Sequence, residues 1–385
     1  MKKIISILCT LGLIGGYAAT TGFEIDNSDK NITVGCKSAY LMDYNSGECI
    51  YKQNECERLP IASMCKVMTL TLVMDAVDSG KLALEDMITV SDNASGMGGS
   101  QVFLASGCQY SVDQLIKSII VCSANDSCVA LSETVAGSED SFVAEMNKKA
   151  VELGCNDTLF ANCTGLPKPT QYSCAKDVAL MFRNLLKYEN YFNYSKIWLE
   201  DFVHPDDRVT SMTNTNKLLR KYKLCDGGKT GFTNEAGFCF TATAKKDNLR
   251  LISAVLGADS SDHRFDSTVN MFNYGFANFR NKIILDKDMP LNDEFAVSGG
   301  KKQSFAVCPE KNCYVFTEMN KEPEISYNVI SHPVKAPIVK GQNVGTIEIY
   351  KDGVLYETVS AVSAEDVKKA SFGDNFQNIS SKWAI

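Results

Sequence analysis

The sequence predicts an α+β protein, in which a helical cluster packs on an antiparallel sheet and a small all-β domain follows. Two alternating apolar runs flank the turn residues Asn45-Ser46-Gly47 and predict a β-hairpin early in the chain. Helical periodicity dominates residues 63–187, and period-two alternation returns in 236–258. Strands, a block of helices and strands again are typical of a layered α+β arrangement.

The helical block contains its own boundary signals. Ser111, followed three residues later by Gln114, forms a capping box that predicts the start of one helix. The amphipathic pattern that ends at Gly154 has a typical helix stop. Apart from the helix that begins at Ser111, helical patterns are predicted over 63–76, 137–154, 173–187 and 263–279.

The 385 residues divide into segments of different character. Residues 1–18 combine two lysines, a short apolar run and small residues, which predicts a signal peptide cleaved near Ala18 and an exported protein. The remaining length favours two globular domains. We assign 26–280 to a catalytic domain and 281–361 to a β domain, because helical periodicity is nearly absent beyond residue 280.

The tail, 362–385, carries an amphipathic pattern. A helix there would place its large apolar side chains on one face, which predicts a possible anchor on a membrane surface. The alternative is a tail that docks on its own domain, since acidic and basic residues balance in this segment. The apolar positions are Phe372, Phe376, Ile379 and Trp383.

Charge and histidine content exclude several classes of function. The net charge of −7 and the pI near 5.2 leave no basic stripe for nucleic acid. The three histidines, His204, His263 and His332, lack metal-ligand spacing, so no metal is predicted. Their scarcity also disfavours a chymotrypsin-like triad.

Fifteen cysteines are unusual, and removal of Cys9 with the signal peptide would leave fourteen. Export would permit disulfides, but the sequence does not determine which cysteines pair. Cys308 and Cys313 bracket a turn and are the best candidate pair. Several of the others lie inside apolar patterns, where a cysteine acts as a small hydrophobe, so we expect buried free thiols.

The stretch "PIASMCKVMTL" holds Ser63, Cys65 and Lys66 at the start of an apolar run. Residues three apart on a helix face the same side, so Ser63 and Lys66 can meet, whereas Cys65 points away. A serine becomes a nucleophile when a neighbouring base accepts its proton, and a lysine can be that base. Ser-x-x-Lys alone occurs by chance about twice in a chain of this length.

Two further motifs favour the interpretation of Ser63 and Lys66 as a catalytic pair. Ser123 and Asn125 form Ser-x-Asn before a helical run, and a hydroxyl and an amide there could relay a proton and hold the lysine. Lys229-Thr230-Gly231 enters a strand pattern, where lysine and threonine can bind a carboxylate and glycine permits close approach of a substrate backbone. That triplet is expected only about 0.1 times by chance.

The three motifs in this order form the signature of penicillin-recognising serine enzymes. Over nearly its whole mature length the sequence resembles the D-alanyl-D-alanine carboxypeptidases among the low-molecular-mass penicillin-binding proteins. The likeness includes "PIASMCKVMT", "FANCTGLP" and "LISAVLGA", and "APIVKGQNVGTIEIYKDG" resembles the C-terminal β domain of that family. The resemblance implies a β-lactamase/transpeptidase-like catalytic domain without cofactor, which trims peptidoglycan stem peptides ending in D-Ala-D-Ala and is acylated by β-lactam antibiotics.

The resemblance also implies catalytic roles. Ser63 would form the acyl-enzyme with Lys66 as general base. Ser123 would pass a proton to the departing amine, and Asn125 would orient Lys66 and the substrate.

The resemblance implies a binding strand as well. Lys229 and Thr230 would hold the terminal carboxylate, and Gly231 would admit the substrate backbone. The backbone N–H groups of Ser63 and Phe232 would form the oxyanion hole. The arginine that some relatives use on the carboxylate cannot be assigned from the sequence.

Three alternatives are weighed against the carboxypeptidase. A serine β-lactamase of the same fold would need a deacylating glutamate, and "ELGCN", from Glu152 to Asn156, matches that pattern only in part. The Ser-Ala-Asn form of the second motif, with Ala124 in place of aspartate, also points away from many β-lactamases. A D,D-endopeptidase stays open, and a non-catalytic wall-binding protein would require the loss of a motif residue, whereas none is missing.

Overall fold

The computed structural model describes residues 32–374. The predicted signal peptide, 1–18, and the last residues of the predicted anchor, 375–385, lie outside these described residues.

The strands of the first domain are β1 (Ser38–Asp43), β2 (Cys49–Gln53), β3 (Met87–Thr89), β4 (Gln109–Ser111), β5 (Leu199–Val203), β6 (Val209–Thr213), β7 (Cys225–Thr233), β8 (Gly237–Lys246) and β9 (Leu249–Ala258). Its helices are α1 (Lys66–Asp78), α2 (Asp92–Ser95), α3 (Val112–Cys122), α4 (Asn125–Ala136), α5 (Glu139–Glu152), α6 (Ala175–Leu185), α7 (Glu189–Ser195), α8 (Leu218–Lys221) and α9 (Ser261–Asn278).

An antiparallel five-stranded sheet, in the order β2-β1-β9-β8-β7, organises this domain. Because side chains alternate along a strand, β9 buries Ile252 and Leu256 in one core and Leu251 and Val255 in another. The first core contains the helical cluster around α1, and the second contains α9. The α+β prediction is confirmed, and β7 lies at a free edge of the sheet.

Most predicted elements are found with small shifts of their boundaries. The predicted hairpin is formed by β1 and β2, and Ser111 caps α3 through the capping box that the sequence predicts. The first predicted helix differs, because Ala62–Cys65 forms a 3-10 turn and the α-helix begins only at Lys66. The hairpin of β5 and β6 and the short helix α7 are not predicted from the sequence.

The β domain follows directly, since α9 ends at Asn278 and the next strand begins at Phe279. A five-stranded antiparallel sheet has the order β11-β12-β16-β15-β14, and β10 pairs with β13. Between the domains, Asn281 Nδ2 donates a hydrogen bond of 2.8 Å to Asp43 Oδ1. The strands are β10 (Phe279–Leu285), β11 (Glu294–Ala296), β12 (Ser304–Pro309), β13 (Cys313–Glu318), β14 (Ile325–Ser331), β15 (Asn343–Lys351) and β16 (Val354–Ser363).

The cysteines behave mainly as buried small hydrophobes. Cys308 and Cys313 are both free thiols, so the predicted pairing is wrong. The expectation of buried free thiols is confirmed for Cys65, Cys128, Cys155, Cys163, Cys174, Cys225 and Cys239.

Within residues 32–374, no helix is both long and apolar enough to cross a membrane.

Candidate active site

The tight turn before α1 presents Ser63. Ala62 has φ 47°, a left-handed conformation that is uncommon for a residue other than glycine. Gly165 packs directly against it, since a Cβ there would lie 2.0 Å from the Ala62 carbonyl oxygen. Packing therefore holds the strained turn in place, which is typical of functional sites.

Lys66 is fully buried beside Ser63. Its Nζ lies 3.0 Å from Ser63 Oγ, 2.6 Å from Asn125 Oδ1 and 2.5 Å from the Thr164 carbonyl oxygen. A neutral amine has two N–H donors and one lone pair. Asn125 and Thr164 can accept those two hydrogens, which leaves the lone pair for the Ser63 hydroxyl proton. The geometry thus fits a general base.

Asn125 begins α4, and the contacts of its side chain fix the orientation of its amide. Its Oδ1 accepts from Lys66, while its Nδ2 donates to the Gly98 carbonyl oxygen at 2.6 Å. Its backbone N–H donates to the Ser100 carbonyl oxygen at 2.7 Å. The neighbouring Asp126 carboxylate accepts backbone N–H groups from the loop that contains Gly98 and Ser100. Asn125 is therefore a rigid link between the lysine and the loop.

Ser123 caps the C-terminus of α3 in a left-handed conformation, φ 67°. Lys229 Nζ donates to Ser123 Oγ at 2.8 Å and to the Thr230 carbonyl oxygen at 2.8 Å. Burial, and next the charge of Lys66, lower the pKa of Lys229 well below its usual value. A carboxylate bound there would favour the protonated form of Lys229, so the site is suited to an anion.

Strand β7 brings its edge against the turn that presents the serine. A Cβ on Gly231 would lie 2.8 Å from the Ile61 carbonyl oxygen and 3.2 Å from Ser63 N. Only glycine permits this close approach of the strand. The Thr230 hydroxyl donates to Thr215 Oγ1, in the loop between β6 and α8, at 2.8 Å. The structure thus brings together the predicted site residues: Ser63, Lys66, Ser123, Asn125, Lys229, Thr230, Gly231 and Phe232.

Arg264, on α9, lies next to the site and is not among the residues predicted from the sequence. Its guanidinium donates to the carbonyl oxygens of Gly231 and Cys239 at 3.1 and 3.2 Å. Burial lowers the pKa of Arg264 to about 10, and its buried Nε has no hydrogen-bond partner within the described residues. It therefore places a positive charge behind the strand that carries Lys229. The only available signal was an arginine inside an otherwise apolar helical pattern.

Cys65 is not available as a nucleophile. Its side chain is fully buried, and its Sγ donates to the Asn162 carbonyl oxygen at 3.1 Å. Burial raises the pKa of the Cys65 thiol, so the reactive thiolate is disfavoured. The predicted orientation of Cys65, away from the serine and the lysine, is confirmed.

Glu152, the candidate for the deacylating glutamate of a β-lactamase, lies on the surface of a helix. Glu152 is the last residue of α5, and its half-exposed carboxylate lies 3.9 Å from Lys148 Nζ. This is an ordinary surface ion pair at i,i+4. The geometry gives Glu152 no part in activating water at Ser63.

Comparisons with known proteins agree with this geometry. Residues 25–260 match the family model for D-alanyl-D-alanine carboxypeptidase, and 279–369 match the model for the C-terminal domain of penicillin-binding protein 5. The chain is 35% identical to D-alanyl-D-alanine carboxypeptidase DacF of Bacillus subtilis, over 97% of this chain and 96% of the relative. It is 33% identical to DacC of Escherichia coli, over 94% and 92% of the two chains. The structure resembles penicillin-binding protein 5 from Haemophilus influenzae with a TM-score of 0.68 at 30% identity, covering 88% of this chain and 98% of the other.

Proposed function

The chain belongs to the D-alanyl-D-alanine carboxypeptidase family, and from this premise we propose that it removes the terminal D-alanine from peptidoglycan stem peptides through an acyl-enzyme on Ser63. The observation that carries the mechanism is the buried Lys66 amine, 3.0 Å from Ser63 Oγ and held by two other acceptors. That arrangement supplies the base that a serine nucleophile needs.

Acylation begins when Ser63 Oγ attacks the carbonyl between the two D-alanines and Lys66 accepts the hydroxyl proton. Negative charge develops on the carbonyl oxygen, where the N–H groups of Ser63 and Phe232 would stabilise it. The C–N bond then breaks. Ser123 donates a proton to the departing amine, and the 2.8 Å contact from Lys229 restores that proton to Ser123.

The carboxylate of the leaving D-alanine would bind at Lys229 and Thr230, near the positive charge of Arg264. Its attraction to two cations would orient the scissile carbonyl over Ser63. Asn125 would hold the preceding part of the peptide by a hydrogen bond, since its Nδ2 has a second N–H besides the one that it donates to the Gly98 carbonyl oxygen.

After acylation, the proton that Lys66 took from Ser63 would replace the one lost by the Lys229–Ser123 pair, which leaves Lys66 as a free amine. In deacylation, water would attack the ester carbonyl and give its proton to Lys66, and Lys66 would pass that proton to Ser63 Oγ as the ester bond breaks. A β-lactam acylates Ser63 in the same way, but its departing nitrogen stays tethered to the acyl group. The tethered group then remains over the ester and hinders water. We therefore expect β-lactams to label the protein and to be hydrolysed slowly.

The test compares three substrates with the full mature chain: a stem pentapeptide ending in D-Ala-D-Ala, a cross-linked muropeptide and a penicillin. We expect release of one D-alanine from each pentapeptide, and slow loss of the penicillin. Preferential cleavage of the cross-link would indicate an endopeptidase instead. Penicillin turnover of many molecules per second would indicate a β-lactamase.

We further propose that the protein is exported and that its tail holds it on the outer face of the cytoplasmic membrane, close to the cell wall. The N-terminal pattern of residues 1–18 and the spacing of apolar residues in 362–385 support this. Phe372, in the described part of the tail, is 88% exposed. Membrane fractionation of a chain ending at Val362 tests the anchor, and unchanged association with membranes would exclude it.

A further inference from the structure

Phe232, directly after the Lys-Thr-Gly motif, exposes its ring beside the site. Its side chain is 52% exposed, although a large aromatic side chain gains free energy when it is buried. Phe238, its partner across strands β7 and β8, packs against it with ring centroids 4.4 Å apart. The two rings form an apolar surface, which we name the Phe232–Phe238 wall.

The position of the wall follows from the geometry of the strand. Residues two apart on a strand point to the same face, about 6.7 Å apart along it. Phe232 therefore lies on the same face of β7 as Thr230, which under the proposed function binds the terminal carboxylate. The side chain of the terminal residue is attached one bond from that carboxylate, so it lies within reach of the Phe232 ring.

The wall is held in place from behind. The Arg264 guanidinium lies 5.3 Å from the centroid of the Phe238 ring, and the carbonyl oxygens of Gly231 and Cys239 hold that guanidinium. Arg264 is itself more than nine-tenths buried. A rigid apolar surface loses little entropy when a ligand binds against it.

We propose that the Phe232–Phe238 wall receives the side chain of the C-terminal residue of the substrate, and that the enzyme therefore also removes larger apolar D-residues, such as D-leucine. This inference rests on the proposed function. An apolar side chain would bury its surface against the rings, whereas the carboxylate of D-aspartate would lose water without gaining a hydrogen bond from them. The Phe232–Phe238 wall would therefore favour substrates whose terminal side chain is apolar.

The experiment uses the full mature chain and peptides that are identical except for a terminal D-alanine, D-leucine or D-aspartate. For the wild type we expect release of D-leucine and poor release of D-aspartate. In Phe232→Ala, kcat/KM for the D-leucine peptide relative to the D-alanine peptide should fall about tenfold. The change should appear mainly in KM, because the contact exists before and during the reaction. Phe372→Ala, which removes an exposed ring from the tail, should leave the ratio unchanged.

Fluorescent penicillin labelling of each variant separates a lost wall from a lost fold, because a folded variant still acylates. An unchanged ratio in labelled Phe232→Ala would overturn the inference, as would a wild type that releases D-alanine but no D-leucine. In both cases the proposed function would stand. If the wild type released no D-alanine from the D-Ala-D-Ala peptide, the proposed function itself would fail.

Discussion

Replacing Lys66 with methionine should lower the rate of acylation by penicillin about 10²–10⁴-fold, the usual contribution of a general base. Lys66 is fully buried and contacts Ser63 Oγ, so no water or exposed side chain replaces its amine there. Methionine keeps an unbranched stem of similar length but has no amine. The measurement is the time course of labelling with a fluorescent penicillin.

The same substitution has a predictable cost in stability. The oxygens of Asn125 and Thr164 lose their donor, and an unsatisfied buried acceptor costs about 1–3 kcal/mol. Thermal unfolding of Lys66→Met shows whether the variant is still folded. Lys148→Met, at an exposed position on α5, is the matched control and should label normally. Labelling of folded Lys66→Met at the wild-type rate would rule out the general-base role.

Replacing Gly231 with alanine should reduce acylation about 10²–10³-fold, the effect of losing one oxyanion-hole donor. The new Cβ would lie 2.8 Å from the Ile61 carbonyl oxygen, a distance that backbone atoms must relieve by moving. Strand β7 and the turn at Ser63 would separate, and the N–H of Phe232 would no longer point at the carbonyl oxygen. Acylation kinetics of the purified variant measure the loss.

Gly35→Ala is the control for this prediction, because a Cβ at residue 35 meets no atom within 4 Å. It should retain both acylation and thermal stability. If Gly231→Ala acylated as fast as Gly35→Ala, the close contact between β7 and the nucleophile turn would have no catalytic importance.

Local spacing predicted the Ser63–Lys66 pair, because both lie in one turn of the chain. The contacts of Lys66 with Asn125 and of Lys229 with Ser123 join residues 59 and 106 positions apart. Spacing alone cannot predict such contacts, and they were expected only from the order of three motifs and the resemblance that this order carries.

Three features of the site could not be predicted from the sequence, each for a physical reason. The Thr164 carbonyl that holds Lys66 belongs to the backbone, and any residue type can supply one. Arg264 was missed because an arginine in a helix is usually exposed, whereas here it is buried and donates from its Nη1 to carbonyl oxygens of β7 and β8. Ser63 was predicted in an α-helix, but packing against Gly165 imposes a tighter turn there.

The most direct test of the account is to locate the covalent adduct. The wild type, Ser63→Ala and Cys65→Ala are each incubated with a penicillin, digested, and examined by mass spectrometry for an acylated peptide. We predict an adduct on Ser63 in the wild type and in Cys65→Ala, and no adduct in Ser63→Ala. An adduct on Cys65, or undiminished labelling of Ser63→Ala, would contradict the account.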